Sequence, residues 1–132
     1  MEHRRCVLDS GALSALAANE ETVRNALVRA IDEGAQVTVP TAVIAESTTG
    51  DPRRDAPTNR ILKGVLLVPL DERVARLSAR LRHVTRVRGS GTIDAIVVAT
   101  GDDVRGSVIF TTDPHDLTPL AAVTGLSRVE GF

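Results

Sequence analysis

The chain has 132 residues, of which 42% are hydrophobic, with two phenylalanines and neither tryptophan nor tyrosine. The core must therefore be aliphatic, and a platform of stacked aromatic rings for nucleic-acid bases is nearly excluded. A formal net charge of −1 excludes a generally basic surface, so any nucleic-acid binding needs a local patch. The single cysteine excludes an internal disulfide framework. No apolar run approaches the roughly 20 residues of a membrane span. From the length and the single cysteine, we expect one cytoplasmic domain over residues 1–132.

Extended and helical patterns alternate along the first half of the chain. Apolar residues recur at helical spacing up to Gly34, with a break at which Asn19 is expected to cap a second helix. In chain order, the sequence predicts a strand over 5–9, helices over 13–34, a strand over 36–40, a short helix over 41–48, a loop over 50–59, a brief helix near 59–63 and a strand over 65–69.

The second half of the chain continues the alternation. A helix is expected to start near Asp71, because an apolar stripe recurs along it at Val74, Leu77, Leu81 and Val84. The elements that follow are a break over 88–91, a helix over 92–100, a strand over 107–111, a helix over 114–123 and a strand over 126–129.

This order of elements predicts an α/β fold. Short apolar strands without polar alternation, separated by helices, are typical of a mostly parallel sheet that is covered on both faces. Right-handed crossovers then give a three-layer α/β/α sandwich, here with five strands in the order three-two-one-four-five. In such sheets, ligands bind beyond the carboxyl ends of the strands, where the strand order reverses. Residues at those ends are therefore the first place to look for function.

Four acidic residues are expected near the carboxyl ends of the strands. Asp9 ends the first strand and Asp113 follows the fourth, so the two carboxylates meet if these strands are neighbours. Glu46 lies in the short helix after the second strand, and Asp94 lies in the first turn of an otherwise apolar helix. Four carboxylates without counter-charge repel one another. A hard divalent cation, Mg²⁺ or Mn²⁺, would relieve this repulsion because it prefers carboxylate and water oxygens.

Each acid also has a purely structural explanation. Asp113 suits the N-cap of a helix, Pro114 suits its first turn, and Asp116 has the capping-box spacing. Glu46 fits a solvated helix residue, and Asp94 fits the positive end of a helix dipole. The number of acids at one end of the sheet favours a shared site, whereas capping is the preferred interpretation of Asp116.

The acidic segments, taken in order, resemble the motifs of PIN domains, and most closely those of the VapC-type toxin ribonucleases of bacterial toxin–antitoxin pairs. The matching segments are Val7–Ser10, Val43–Glu46, Thr92–Ala95 and Thr111–Leu117. The resemblance implies metal-dependent endonucleolytic cleavage of RNA. It also implies that Asp9, Asp94 and Asp113 bind Mg²⁺ or Mn²⁺ directly or through water, and that Glu46 completes the catalytic set.

Residues beside the four acids are candidates for accessory roles. Ser10 can supply a hydroxyl, and Thr112 and Asp116 lie within the last motif. Many family members have Thr or Ser and then Asn after the first acid, whereas this chain has Ser10 and then Gly11. A contact that the Asn amide would supply is therefore in doubt. The metal site itself is not affected by this difference.

Binding an RNA substrate requires positive charge near the acids. Arg86 and Arg88 lead into the helix that carries Asp94, so they are the candidate RNA-binding residues. More distal basic residues on the preceding helix fit a solvated face better. The resemblance further implies a cognate antitoxin protein and a homodimer as partners.

Three other functions fit parts of the pattern. Receiver domains of response regulators also hold Mg²⁺ at strand ends, but they need an adjacent acid pair and a lysine after the last core strand, and the only lysine is Lys63. Phosphatases of the haloacid-dehalogenase type need a second Asp where Gly11 stands. A PIN-like module that binds RNA or a partner without cleavage remains open, and an RNA cleavage assay distinguishes it from the enzyme.

Overall fold

The computed structural model describes residues 3–86 and 91–132 of the chain. Within them lie five strands and seven helices: β1 (Arg5–Leu8), α1 (Ser10–Ala17), α2 (Glu21–Asp32), β2 (Gln36–Pro40), α3 (Thr41–Ser47), α4 (Ala56–Leu62), β3 (Leu66–Val68), α5 (Glu72–Thr85), α6 (Thr92–Asp102), β4 (Ser107–Thr111), α7 (Pro114–Ala122) and β5 (Ser127–Gly131). All strand pairs are parallel, in the order β3-β2-β1-β4-β5. The predicted α/β/α sandwich and its strand order are therefore confirmed.

The central strands are built from short apolar runs. β4 is buried over its whole length, and β1 is buried from Cys6 onward. The register pairs Val7 with Ile109 and Leu8 with Phe110. These side chains belong to one aliphatic core that also includes residues of the helices. Because β1 and β4 are neighbours in register, the chain that leaves β1 at Asp9 emerges beside the chain that leaves β4.

The end of α1 differs from the prediction. Asn19 has a positive φ of 59°, a conformation that asparagine tolerates better than most residues, and its N–H donates to the Leu16 carbonyl at 2.9 Å. Asn19 therefore terminates α1 and does not cap α2. The N-cap position of α2 is held by Glu20.

The segment predicted as a loop over 50–59 contains the start of α4. Pro57 lies in the first turn of this helix, where its missing N–H is not needed, so the helix begins at Ala56. The preceding loop is held by Asp55, which is 6% exposed and accepts from the backbone N–H groups of Thr49 at 2.9 Å and Gly50 at 2.8 Å. These hydrogen bonds lower the pKa of Asp55.

The apolar stripe of α5 is only partly buried. Val74 and Leu81 are 2% and 0% exposed, as predicted, but Val84 is 53% exposed. Val84 lies in the last turn of α5, beyond the point where the helix packs on the core. Helical spacing identifies a face of a helix but not where along that face the core ends.

None of the helices in the described ranges has both the length and the apolar character that crossing a membrane requires.

Candidate active site

Four carboxylates predicted from the sequence meet at the carboxyl edge of the sheet. Asp9 follows β1, Asp113 follows β4, Asp94 lies in the first turn of α6, and Glu46 lies near the end of α3. Their proximity is visible at Asp94, whose pKa is affected by the charges of Asp9, Asp116, Glu46 and Asp113. The structure therefore brings the four acids together and adds Asp116 to them.

Asp9 is the most buried member of the group, with 7% exposure. Its carboxylate accepts a hydrogen bond from the Ala12 N–H at 2.8 Å and so caps α1. Burial raises the pKa of Asp9, and the charges of Glu46 and Asp113 add to this effect, although hydrogen bonds from Thr111 and Ala12 oppose it. Asp9 is thus both a helix cap and a partly desolvated member of the acidic group.

Asp94 carries the strongest electrostatic signal of the site. Its pKa rises to about 6, first because of burial and then because of the neighbouring carboxylates, Asp9 and Asp116 before the others. An acid in the first turn of a helix is ordinarily favoured as a carboxylate by the helix dipole. The raised pKa therefore means that desolvation and repulsion outweigh the dipole, so a solvated helix terminus does not explain Asp94.

Asp113 occupies the N-cap position of α7, but in the described structure its side chain forms no capping hydrogen bond. Its backbone N–H donates to the Thr111 hydroxyl oxygen at 2.8 Å. In a capping box, the carboxylate of Asp116 would accept a hydrogen bond from this same N–H group. Asp116 instead shares a hydrogen bond with the Asp113 carboxyl group, and this bond, together with the Asp113 charge, raises the pKa of Asp116. Asp113 therefore holds the predicted N-cap position with Pro114 after it, but in the described residues neither Asp113 nor Asp116 forms the predicted capping hydrogen bond.

Glu46 is exposed and is oriented by Ser10, whose hydroxyl donates to the Glu46 carboxylate. Ser10 begins α1 directly after Asp9, so a single turn of chain carries one acid and orients another. This contact is the accessory role that the sequence suggested for Ser10.

Thr111 is a site residue that the sequence analysis missed. It is fully buried, its hydroxyl accepts from the Asp113 N–H, and it hydrogen-bonds with Asp9. It therefore connects the two acids that follow β1 and β4. The available signal was a hydroxyl at the last position of β4, two residues before an acid.

Thr112, the threonine that was predicted, lies against Gly11. A Cβ atom at position 11 would lie 1.9 Å from the Thr112 Oγ1 atom, so any side chain there would displace Thr112. The glycine that departs from the family pattern is thus matched by a hydroxyl from a different segment of the chain. Gly11 and Thr112 form one packed unit beside the acids.

The basic residues near the site are only partly described. Arg86 ends α5 with a positive φ of 47°, and Arg88 lies outside the described residues. Two of the distal arginines on α5 are committed to ion pairs, Arg73 with Asp103 at 2.7 Å and Arg76 with Glu72 at 2.8 Å. These pairs agree with the prediction that the distal residues form a solvated face.

Comparison with known proteins identifies the family of the chain. The sequence matches the family model of the PIN domain over residues 6–118. The chain belongs to the PIN domain family. In a search of curated proteins, no sequence matches this PIN domain.

Two solved structures share the fold of this PIN domain. VapBC2 from Rickettsia felis, bound to a DNA fragment from their promoter, is 10% identical, with a TM-score of 0.74 over 96% of this chain and 97% of that chain. A toxin–antitoxin complex from Klebsiella pneumoniae is 18% identical, with a TM-score of 0.65 over 84% of this chain and 88% of that chain. At these identities the likeness is one of fold.

The donor set of the PIN domain suits a hard cation. In residues 3–86 and 91–132, no three His, Cys, Asp or Glu side chains are placed closely enough to ligate one metal ion together. The acids nevertheless affect one another's pKa, and every donor is an oxygen. Mg²⁺ commonly keeps several water ligands and uses only one or two carboxylates directly. The residues therefore fit a cation that is held partly through water.

Proposed function

We propose that this PIN domain is a metal-dependent endoribonuclease that cleaves RNA phosphodiester bonds. The observation that carries the proposal is the group of acids at the carboxyl edge of β1 and β4, in which burial and then the neighbouring carboxylates raise the pKa of Asp94 to about 6. A raised pKa with a named charge partner in an α/β strand-end site is typical of functional residues. Structural acids are normally paired with basic groups, whereas within residues 3–86 and 91–132 none of Asp9, Glu46, Asp94 and Asp113 forms a salt bridge.

Three of the acids would hold the metal. Asp9, Asp94 and Asp113 would bind Mg²⁺ or Mn²⁺ directly or through water, and Glu46 would complete the set. When bound, the ion supplies charge relief to the phosphodiester and lowers the pKa of water. A two-ion arrangement is also compatible with this number of carboxylates.

The remaining side chains position these acids. Thr111 fixes the Asp113 backbone by accepting from its N–H, and it restrains Asp9 by a second hydrogen bond. Ser10 orients Glu46. Asp116 hydrogen-bonds with Asp113, and the raised pKa of Asp116 favours a proton on this pair. Arg86 and Arg88 would contact the RNA backbone.

We further propose that the chain acts in the cytoplasm as the toxin of a type II toxin–antitoxin pair. The ordered acidic motifs resemble those of VapC-type toxins, and the fold is shared with chains of VapBC2 and of a toxin–antitoxin complex. The partners would be a cognate antitoxin and a second copy of the chain.

An RNA cleavage assay tests the activity. We expect the purified chain to cut RNA with Mg²⁺ or Mn²⁺ and to stop when a chelator is added. D94N should lower the cleavage rate more than about a hundredfold. This loss exceeds the one that is typical when a residue that only contacts a metal ligand is changed. D32N, which removes an exposed acid in the last turn of α2, serves as the matched control and should keep the wild-type rate. Equal cleavage by D94N and wild type, or cleavage that ignores the chelator, would overturn the proposal.

A further inference from the structure

An open cleft of about 480 Å³ adjoins the carboxylate site. It is named here the Glu20 cleft, and its lining residues are Glu20, Glu21, Thr22, Val23, Thr112 and Phe132. Its volume falls within the range of small-molecule sites, roughly 300–1,000 Å³. None of its lining residues is among the four acids, so it is a separate feature of the surface.

The Glu20 cleft shares a wall with the acidic group. Thr112 lines the cleft and precedes Asp113 in the chain. The same side chain packs on Gly11, which follows Ser10, because the position of a Cβ at residue 11 is filled by the Thr112 hydroxyl. An RNA strand whose phosphate lies at the acids therefore has the cleft within reach of an adjacent nucleotide.

The cleft contains the less buried of the two phenylalanine rings of the chain. The sequence has two phenylalanines and neither tryptophan nor tyrosine. Phe110 lies in the core and is 1% exposed. Phe132 is only partly buried. Its ring packs edge-on against Phe110 with a centroid distance of 4.9 Å, and its N–H donates to the Thr111 carbonyl at 3.0 Å. The ring is thus held in place beside the site.

The charge of the cleft selects the part of RNA that it accepts. Glu20 and Glu21 are exposed carboxylates that line it, and they would repel a phosphate. A carboxylate is an acceptor with two oxygens, so it favours a ligand with two adjacent N–H donors. Among the four RNA bases, only guanine has such a pair, at N1 and N2, whereas adenine and cytosine place an acceptor beside their amino group.

We infer that the Glu20 cleft binds a guanine base of the RNA, at one fixed position relative to the bond that is cut. Glu20 or Glu21 accepts from the guanine N1–H and N2–H groups, and Phe132 supplies an apolar ring surface against the base. The first turn of α2 lines the same cleft with Thr22 and Val23, so its backbone N–H groups are the donors nearest to the guanine O6. This inference rests on the proposed ribonuclease function.

The first experiment maps the bases around each cut. An RNA pool of random sequence is digested by wild type, by E20Q/E21Q and by E33Q, and the new ends are sequenced. We expect guanine to be enriched at one position for wild type and for E33Q, which changes an exposed glutamate at the far end of α2. E20Q/E21Q should lose the enrichment, because it lacks the carboxylates that accept from guanine. Cuts with no preferred base, or a preference that survives in E20Q/E21Q, would overturn the inference.

The second experiment changes the RNA instead of the protein. Inosine replaces the preferred guanine, which removes only the 2-amino group. Wild type should cut the inosine RNA about tenfold more slowly, the loss expected for one hydrogen bond to a charged group. E20Q/E21Q should cut both RNAs at nearly the same rate. If that variant does not fold, F132L with the same RNA pool is the replacement, and its guanine enrichment should weaken.

The two proposals fail in different ways. If wild type cuts no RNA with either metal, the ribonuclease function itself is wrong. If wild type cuts RNA but treats guanine and inosine alike, only the guanine site is wrong.

Discussion

The two ends of α6 carry acids in opposite situations. Asp103, just past the carboxyl end of the helix, pairs with Arg5 at 3.4 Å and with Arg73 at 2.7 Å. Asp94, in the first turn, has a pKa raised by burial and by four other acids. The dipole of the helix would favour the opposite arrangement, since a negative charge is stabilised at the amino end and destabilised at the carboxyl end. Arg5 and Arg73 thus stabilise Asp103, which the dipole disfavours. Asp94, which the dipole favours, instead lies near other carboxylates.

This difference separates a structural acid from a proposed functional one within a single helix. At the Asp103 end, the side chains of Asp103 and Arg5 are only 15% and 13% exposed, and the pair fastens the end of α6 to the start of β1. At the Asp94 end, the charges of Asp9, Asp116, Glu46 and Asp113 raise the pKa of Asp94, and we propose that a bound cation neutralises this repulsion. An acid without a salt bridge therefore indicates a functional site only where acids from several helices and strands lie close together.

Metal binding should have the largest effect on stability. Mg²⁺ or Mn²⁺ at a hundredfold excess over its dissociation constant should stabilise wild type by about 2.7 kcal/mol, because only the folded chain gathers the acids. D94N should gain much less, and D103N should gain as much as wild type. Thermal melts with chelator and then with Mn²⁺ measure this. Equal gains for D94N and wild type would contradict a metal site that includes Asp94.

Breaking the other end of α6 should have the next largest effect. D103N leaves the largely buried Arg5 guanidinium without its carboxylate, so we expect a loss of about 2 kcal/mol in the free energy of unfolding. The control E72Q breaks the Arg76–Glu72 pair, whose side chains are 79% and 81% exposed, and should cost about 0.5 kcal/mol or less. Urea denaturation measures both. If the two variants lose the same amount, burial does not distinguish these pairs.

The smallest effect expected is the pH dependence of the metal-free protein. The folded pKa of Asp94, about 6, lies above its unfolded value near 3.8, so the folded chain holds more protons between these values. Stability from this group is complete at low pH and is lost as pH rises from about 4 through about 6. Because Asp94 is only half-buried, solvent screens the repulsion, and D94N should exceed wild type by only about 1 kcal/mol at pH 7.

Denaturation with chelator at pH 4 and pH 7 measures this difference. The advantage of D94N should shrink at the lower pH, where the wild-type carboxyl group is protonated. A variant that is less stable than wild type at pH 7 would indicate that Asp94 is a favourable first-turn charge and not a strained site residue.

The sheet and its acids could be predicted because their signals are local and strong. β1, β2 and β4 are short apolar runs with acids directly after or one helix beyond them, and parallel order places those ends together. The break at Asn19 was also visible, but the role of Asn19 was not. Whether a residue ends one helix or caps the next depends on its backbone conformation, which sequence spacing does not specify.

Other details depended on contacts between distant segments. Asp116 has the spacing of a capping-box acid. The Asp113 N–H group that it would bond to in that role donates to the Thr111 hydroxyl instead. The contacts of Thr111 with Asp9 and Asp113 could not be predicted from sequence alone, because they depend on which of the two neighbouring hydroxyls the fold places beside these acids. The packing of Thr112 on Gly11 joins residues about a hundred positions apart, and only the fold brings them together.

The central position of β1 also determines when the site can exist during protein synthesis. β1 lies between β2 and β4, and β4 spans Ser107–Thr111, so the surroundings of Asp9 are completed only after β4 has been translated. At about 5–20 residues per second, Asp9 precedes Asp113 by roughly 5–20 s. A nascent chain on the ribosome therefore carries Asp9 for that time without Asp113.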